Sequence, residues 1–564
     1  MQNSIVKLTP IGGQAEMGKS MYCLEIENKI FIIDAGFRFP ELDKLGIDTI
    51  IPSFDYLKEN EEKIQAIFVS HGHDDVMGAL PYLLQEIHVP IYTTDLTADL
   101  IDQLLKRYIR HSNVTFTYNI KRVNMNASLK IGGVQVEFFP ITHSIPGSVG
   151  FAFLTKYGYV VYSSEFIIDF GAPERFRCNI QKMMEFGKHG VLALLCESSY
   201  AKNDGYTSPK HKLTSKIESV FEDAQGRIII SSYAQNIFRT KEIIQLTEKY
   251  NRKIVFYGRD KYDNTNSLLR IAKNKKRPIL KINERHIAKK EEIMDSCKEN
   301  QLVVLLSGSP RRIYHDILDI IGGGDEYLKL KETDTFIVAS PVLPGTEKIA
   351  NRAINELYKT DTQIHVIKSK ELSSMHASQE DIKVMMQILQ PHYFVPIKGE
   401  YQHFIASSDL AQEMSISDDH IAIIDNGETI TFKNGVLLDY RDTIDIEDVM
   451  IDGLGIGDVG AKVIDDRNQL QKDGVVIIGM TIDSQTKKTV ANTDVQTRGF
   501  IYLKDSENII KGIINLTEEG LKDYQLNPRQ GVVDVRHSIK EKVNRFIYKE
   551  TGKKPVILPV IIEL

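Results

Sequence analysis

Apolar residues over the first 200 positions come in short runs that end in turn residues: MYCLEIENKIFIIDAG, AIFVSHG, VQVEFFPITH, VGFAFLTKYGYVVYSSE and VLALLCESS. Some runs alternate with polar positions and others are apolar throughout. Both kinds predict strands, covered on one face or on two. Between them, TADLIDQLLKRYI places apolar residues three and four apart, as an amphipathic helix does. The histidines and acids of interest fall in turns just after the strands, so the pattern predicts a layered α/β domain with its chemistry along one rim.

From about residue 209 the alternation becomes more regular. RIIISS is followed by RTKEIIQLTEKY, KIVFYG by NTNSLLRIAKN, LVVLLSG by a helical pattern, and TFIVAS by TEKIANRAINELYK. Strand and helix in turn predict a parallel sheet with crossover helices, hence a separate unit. Strands of the first kind return after residue 366 in HYFVPIKGE and IAIIDNGETITFKNG, so the second unit is expected to be inserted into the first. The expected division is 1–208 and 366–447 for the two parts of the outer domain and 209–365 for the insert. A glycine-rich acidic linker at 448–460 would lead to a small α+β domain at 461–564, built from VVIIGMTI, PVILPVIIEL, TEEGLKDYQ and HSIKEKVNRFIYKE.

Length agrees with this division, since 564 residues correspond to about three or four domains. Composition narrows the class: 42% hydrophobic and 26% charged residues are those of a globular protein, and no apolar run approaches the ~18 residues of a membrane span. The start, MQNSIVKLTPIGGQ, lacks a secretory pattern, and a cytoplasmic protein without membrane contact is expected. Cys23, Cys178, Cys196 and Cys297 form no Cys-x-x-Cys pair, which argues against a disulfide framework and a thiolate zinc site. Any metal must then be held by histidine and carboxylate. A net charge of -6 confines polyanion binding to a locally basic groove. The Lys273–Lys281 stretch KNKKRPILK is one candidate RNA surface, or simply a solvated charged face.

The stretch HGHDDV puts His71, His73 and Asp75 on a tight loop directly after a predicted buried strand. Two imidazoles and a carboxylate suit Zn²⁺ or Mn²⁺; the alternative is a polar turn. His143 in PITHSIPG and Glu165 in VVYSSEF follow two further strands. Alone, His143 reads more readily as a hydrogen-bonded structural residue and Glu165 as a surface glutamate. Together His71, His73, His143 and Glu165 make a set able to hold one cation, with Asp75 left for a second.

Along its full length the chain resembles ribonuclease J, in the β-CASP branch of the metallo-β-lactamase superfamily. The matching stretches are IGGQAEMGKSMYCLEI, FIIDAGFRFPE, FVSHGHDDVMGALPYL, ITHSIPGSVGFAF, SSYAQNIFRT, FIVASPVLPGTE, SSMHASQEDIK, FVPIKGEYQHF, DGLGIGDVG, TRGFIY and KPVILPV. The resemblance implies a metallo-β-lactamase αββα sandwich interrupted by a β-CASP parallel-sheet domain, with the C-terminal domain used in oligomerisation as a dimer or tetramer. It also implies a metal-dependent 5′-3′ exoribonuclease and endoribonuclease acting on single-stranded RNA with a 5′ end, in rRNA maturation and mRNA decay. A ribonuclease J paralogue and an RNA degradosome are the implied protein partners.

Departures from the family motif fall on the metal ligands. His-x-His-x-Asp-His becomes His71, His73, Asp75 and Val76, and the histidine of Pro-Val-His-Gly-Glu-Tyr becomes Lys398. Both second-site imidazoles are thereby lost, and a protonated lysine cannot ligate a metal. One Zn²⁺ or Mn²⁺ is therefore expected, with Lys398 either standing in for the second cation or turned outward. The bridging aspartate becomes Glu165 after Ser164, Glu197 replaces an aspartate, and Phe238 takes the place of a histidine. In these respects the chain resembles the second, degenerate-site copy of bacteria that carry two. Asp75 and His376 remain as candidate catalytic residues. Leu372, Ser373, Ser374, Met375, His376 and Ser378 match the segment for the scissile nucleotide, while Gln235, Asn236, Ser307, Ser309 and Ser340 are further candidate RNA contacts. Weak intrinsic activity is expected; the alternative is a silent RNA-binding subunit supporting an active paralogue.

Overall fold

The computed structural model describes residues 4–40, 46–112, 114–258, 280–294, 299–343, 345–368, 371–453, 455–456, 461–501, 507–526 and 531–564. The predicted helix NTNSLLRIAKN, most of KNKKRPILK and Cys297 lie outside these residues.

Two sheets face each other in the outer domain. One runs in the order Val436–Leu437, Glu428–Lys433, Ile5–Gly12, Met21–Ile26, Lys29–Ile33, Ile64–Phe68, Ile91–Thr94, Ile120–Val123. The other runs Pro391–Ile397, Val191–Glu197, Gly158–Tyr162, Val149–Thr155, Val134–Pro140, Ser128–Ile131. Each sheet thus takes a strand from beyond the insert: Ile5 pairs with Lys433, and Val191 runs parallel to Pro391. Between the sheets, Phe68 packs on Tyr92, Phe138, Phe151 and Phe153 at ring distances of 5.3 to 5.9 Å. Helices Ile180–His189, Gln379–Leu389 and Tyr401–Glu413 bury their apolar faces on the outer side of the second sheet. Val191–Glu197 is buried at every position, which explains why it reads as an unbroken apolar run.

The insert is a five-stranded, all-parallel sheet in the order Lys253–Tyr257, Leu302–Gly308, Ile228–Tyr233, Thr335–Val338, Gln363–Val366. Its core joins Val304 and Phe336 to Ile313, Ile317 and Leu357 from the flanking helices. The strand Gln363–Val366 was not apparent from sequence, because its four residues QIHV carry too short a pattern.

The chain divides into two compact units, Met1–Phe39 with Thr49–Val449, and Pro40–Asp48 with Met450–Leu564. Residues 40–48 therefore leave the expected first domain. Asp48 explains this, since its amide donates to the Ile451 carbonyl (2.8 Å) and its carboxylate accepts from the Gly453 amide (2.8 Å). The expected linker 448–460 begins instead with a paired strand, Asp448–Asp452, and residues 454 and 457–460 lie outside the described ones. In the second unit, Thr489–Arg498, Val475–Ile482 and Val556–Glu563 form a sheet whose inner face packs on helices Glu507–Leu526 and Val532–Thr551. Among the described residues no helix is long and apolar enough to cross a membrane.

Candidate metal centre and nucleotide segment

Six strands of the outer domain end at one rim, and each delivers a polar residue just past its last apolar position. Asp34 follows Lys29–Ile33, His71 and His73 follow Ile64–Phe68, and His143 follows Val134–Pro140. Glu165, Glu197 and Lys398 follow or end Gly158–Tyr162, Val191–Glu197 and Pro391–Ile397. Asp34, Ser164 and Lys398 have φ of 60°, 56° and 54°, left-handed values that cost a non-glycine residue about 1 kcal/mol or more. Surrounding contacts hold these turns in place.

Backbone bonds clamp the loop that carries His71 to Asp75. Ser20 N donates to Asp75 O (3.0 Å), Ala35 N to Val76 O (2.7 Å) and Phe37 N to Asp74 O (3.1 Å). Approach is so close at Gly36 that an added Cβ would lie 1.6 Å from Asp75 O, so only glycine fits there.

Three imidazoles converge on one carboxylate oxygen. Oε2 of Glu165 lies 3.3 Å from His71 Nε2, 3.2 Å from His143 Nε2 and 3.8 Å from His73 Nδ1. For His143 and His71 the far nitrogen donates, which leaves the near one as an acceptor. His143 Nδ1 donates to the Met375 carbonyl at 2.8 Å. Ser70 Oγ directs its proton to Asp34 (3.0 Å) and so accepts from His71 Nδ1 (3.0 Å). His73 Nε2 faces Ser144 Oγ at 3.0 Å. Burial lowers the pKa of His71 well below its ordinary value and that of His143 to about 4, so both rings are neutral at neutral pH. The four ligand atoms lie within 4.8 Å of one another. Nitrogen and oxygen donors with free lone pairs fit a single cation of the Zn²⁺ or Mn²⁺ class.

A second cation does not fit. Lys398 Nζ donates to Oε1 of Glu165 at 2.9 Å and stands 3.9 Å from Oδ2 of Asp75, and its side chain is buried. Burial disfavours its charge, yet Glu165, Asp75 and Asp34 together raise its pKa. Glu165 is correspondingly held well below the carboxylate range, since Lys398 and the imidazoles outweigh burial. Asp75, a third exposed at its side chain, is pushed up by burial of its surroundings and by the charge of Glu165. Val76 is wholly buried within the short helix Asp74–Met77.

Next to this centre lies the segment Leu372–Ser378. His376 Nδ1 donates to Oε2 of Glu197 at 2.9 Å; burial opposes its charge, but Glu197 prevails and raises its pKa to about 10. Oε1 of Glu197 accepts from the Ala377 amide at 3.1 Å and also from the Phe166 amide, joining the Leu372–Ser378 segment to the turn after Glu165. Ser378 begins helix Gln379–Leu389, and its amide donates to Asp381, which also accepts from the Ile168 and Thr207 amides. Leu372 and Met375 are buried, Ser374 is half-buried, and Ser373 N donates to Lys210 O at 3.2 Å.

Other sequence candidates make internal contacts. Gln235 hydrogen-bonds Asp74, and Asn236 caps helix Ile237–Lys249 by accepting from Arg239 N at 2.9 Å. Ser309 caps helix Pro310–Ile321, Ser340 pairs with Ser231 at 2.9 Å, and Ser307 is buried at the end of its strand. Phe238 packs edge-on against Phe176 at 5.2 Å. Asp34, Ser70, Ser144 and Asp381 had no assigned role from sequence. Only Asp381 carried a local signal, the Ser-x-x-Asp spacing from Ser378 that marks a helix start.

The sequence matches the Metallo-beta-lactamase superfamily over residues 16–163 and the Ribonuclease J, beta-CASP domain over 225–357. It also matches the Zn-dependent metallo-hydrolase RNA specificity domain over 363–421 and the Ribonuclease J C-terminal domain over 462–564. A protein named Ribonuclease J 2 from Streptococcus pyogenes serotype M3 is 31% identical over 560 residues, covering 99% of each chain. The chain belongs to the ribonuclease J family. Proteins of the same name from Staphylococcus epidermidis and Staphylococcus aureus are 29% identical over 569 and 572 residues, covering 100% of this chain and 99% of theirs. As a ribonuclease J, the chain has the expected metallo-β-lactamase core with its β-CASP insert. Among solved structures, a protein of unknown function from Enterococcus faecalis V583 shares the fold, with a TM-score of 0.51 and 15% identity over 76% of this chain and 100% of that one.

Proposed function

We propose that this ribonuclease J acts in RNA processing and decay as a 5′-3′ exoribonuclease and endoribonuclease of weak intrinsic turnover. The observation that carries this reading is the Lys398 ammonium 2.9 Å from Glu165 Oε1, in the space where a second cation would need those oxygens. His71, His73, His143 and Glu165 hold one Zn²⁺ or Mn²⁺, which when bound polarises water and phosphodiester.

The chain's own residues do the rest. Lys398 neutralises Glu165 and Asp75 without a metal and leaves Glu165 Oε2 turned to the imidazoles. His376, held as a cation by Glu197, binds the scissile phosphate and can supply a proton from its ring to the leaving oxygen. Met375 keeps the proton of His143 on Nδ1 and so its Nε2 available. Lysine contributes one fixed positive charge but, unlike a metal, no open coordination position for the leaving oxygen, hence the low turnover.

A second reading is supported by the contrast between that replaced second site and a nucleotide segment whose hydrogen bonds are satisfied. The chain then binds RNA, assembles with itself and an active paralogue within an RNA degradosome in the cytoplasm, and cuts little itself. Metal content by mass spectrometry, measured beside Mn²⁺-dependent degradation of 5′-monophosphorylated RNA, separates these readings from a fully competent enzyme. Two tightly bound cations with turnover matching that of a fully liganded relative would refute both.

A further inference from the structure

The chain that leaves Glu165 reaches the surface at Phe170, which is 74% exposed. A solitary exposed ring needs no explanation, but this one lies in a stretch that also carries Arg175 and Arg177, and its turn is tied to Lys212 through Asp169. Its turn is fixed on both sides. Asp169 accepts from Gly171 N at 3.0 Å and pairs through its other oxygen with Lys212 Nζ at 3.2 Å. Arg177 Nε donates to Ala172 O at 3.2 Å, and Lys241 Nζ lies 5.6 Å above the ring of neighbouring Phe176.

The same surface borders both parts of the site. Arg175 O accepts from Gly147 N (3.0 Å), beside the loop that bears His143, and Lys210 O accepts from Ser373 N (3.2 Å) in the nucleotide segment. Arg175, Arg177 and Lys210 are exposed, and Lys212 and Lys241 half-exposed; the exposed carboxylates on 169–177 and 202–212 are Glu174 and Asp204, and Lys212 is paired with Asp169. On a chain of net charge -6 this is a local reversal of sign. An aromatic face set among cations fits nucleobases by stacking and phosphates by charge, with little demand on sequence.

We propose that Phe170 and the cations around it form a landing platform for single-stranded RNA, outside the nucleotides taken by Leu372–Ser378. A base stacks on Phe170, and the flanking phosphates meet Arg175 and Lys210. The platform rests on the ribonuclease reading, and its test keeps the two apart.

Fluorescence anisotropy of the full chain with a non-cleavable 2′-O-methyl RNA of roughly 20 nucleotides, longer than the ~4–16 one groove spans, measures affinity as a function of salt. Phe170→Ala weakens binding on the order of tenfold, from the ~1–3 kcal/mol of one stacked base, while Phe170→Tyr retains it. Arg175→Ala and Lys210→Ala each lower the slope of log affinity against log salt by about 0.7. Unchanged affinity in Phe170→Ala, or equal loss in the Ala and Tyr variants, overturns the platform alone. A parent protein with no salt-sensitive affinity for this RNA overturns the ribonuclease reading as well.

Discussion

Glu165 divides its carboxylate between two neighbours: Oε1 accepts from Lys398 Nζ at 2.9 Å, and Oε2 faces His71 and His143 at 3.3 and 3.2 Å. One oxygen thus faces the candidate metal ligands and the other makes an ion pair. Removing the lysine leaves a buried carboxylate uncompensated, which costs about 3–5 kcal/mol. Lys398→Met should accordingly lose that much in urea unfolding. Without its partner Glu165 titrates at higher pH, so the unfolded form binds fewer protons than the folded one as pH rises. The deficit of the variant therefore grows with pH across the acidic range.

Placing imidazoles at both positions tests whether the geometry can hold a second metal. Val76→His with Lys398→His should raise the metal content from one to two per chain and increase Mn²⁺-dependent RNA cleavage by more than tenfold. Val76 is fully buried, so the single Val76→His variant should lose stability without gaining a metal. A double variant that takes up a second metal yet stays inert would assign the weakness to Glu165 or the nucleotide segment.

Acid should destabilise the metal-free protein through its histidines. Burial holds His143 at about 4 against 6.5 for the free group, so the unfolded state binds more protons between those values. Stability is therefore lost as pH falls from about 6.5 to 4, by roughly 3 kcal/mol at most for this residue. Thermal unfolding with chelator should show the loss, and His143→Gln should reduce it.

Glu197 controls the charge of His376. Glu197→Gln removes the carboxylate that raises His376 to about 10, and burial then draws the ring toward or below its ordinary 6.5. Nuclear magnetic resonance titration of the ring should show the shift. RNA affinity that is nearly flat between pH 6 and 8 in the parent should become acid-favoured in the variant, with Glu197→Asp intermediate.

Gly36→Ala forces a methyl group against the Asp75 carbonyl, 1.6 Å away in the present backbone. The loop holding His71 and His73 must shift, so metal affinity should fall on the order of tenfold or more, with a loss of roughly 1–3 kcal/mol in stability. Isothermal titration with Zn²⁺ and urea unfolding check the two effects separately.

Much of the outer domain and its rim was legible because period and composition there are local. The unbroken run VLALLCE signals a strand covered on both faces, and the polar residues after the strands had to lie at strand ends. His71, His73, His143 and Glu165 were accordingly found as one set. Asn236, Ser309 and Ser340 could not be placed from sequence alone, because polar residues at strand ends also serve as helix caps and internal partners. Residues 40–48 changed unit because backbone pairing to residue 451 carries no side-chain signature.

What the sequence by itself determined is the family, the order of its domains and the presence of valine at 76 and lysine at 398, since these are matters of residue identity. Tertiary structure alone decided where the Lys398 ammonium goes. Residues 165 and 398 stand on strands separated by the whole insert, and Val191–Glu197 between them sets their spacing. Charge compensation across that distance depends on a few ångströms of position, which no local pattern of residues encodes.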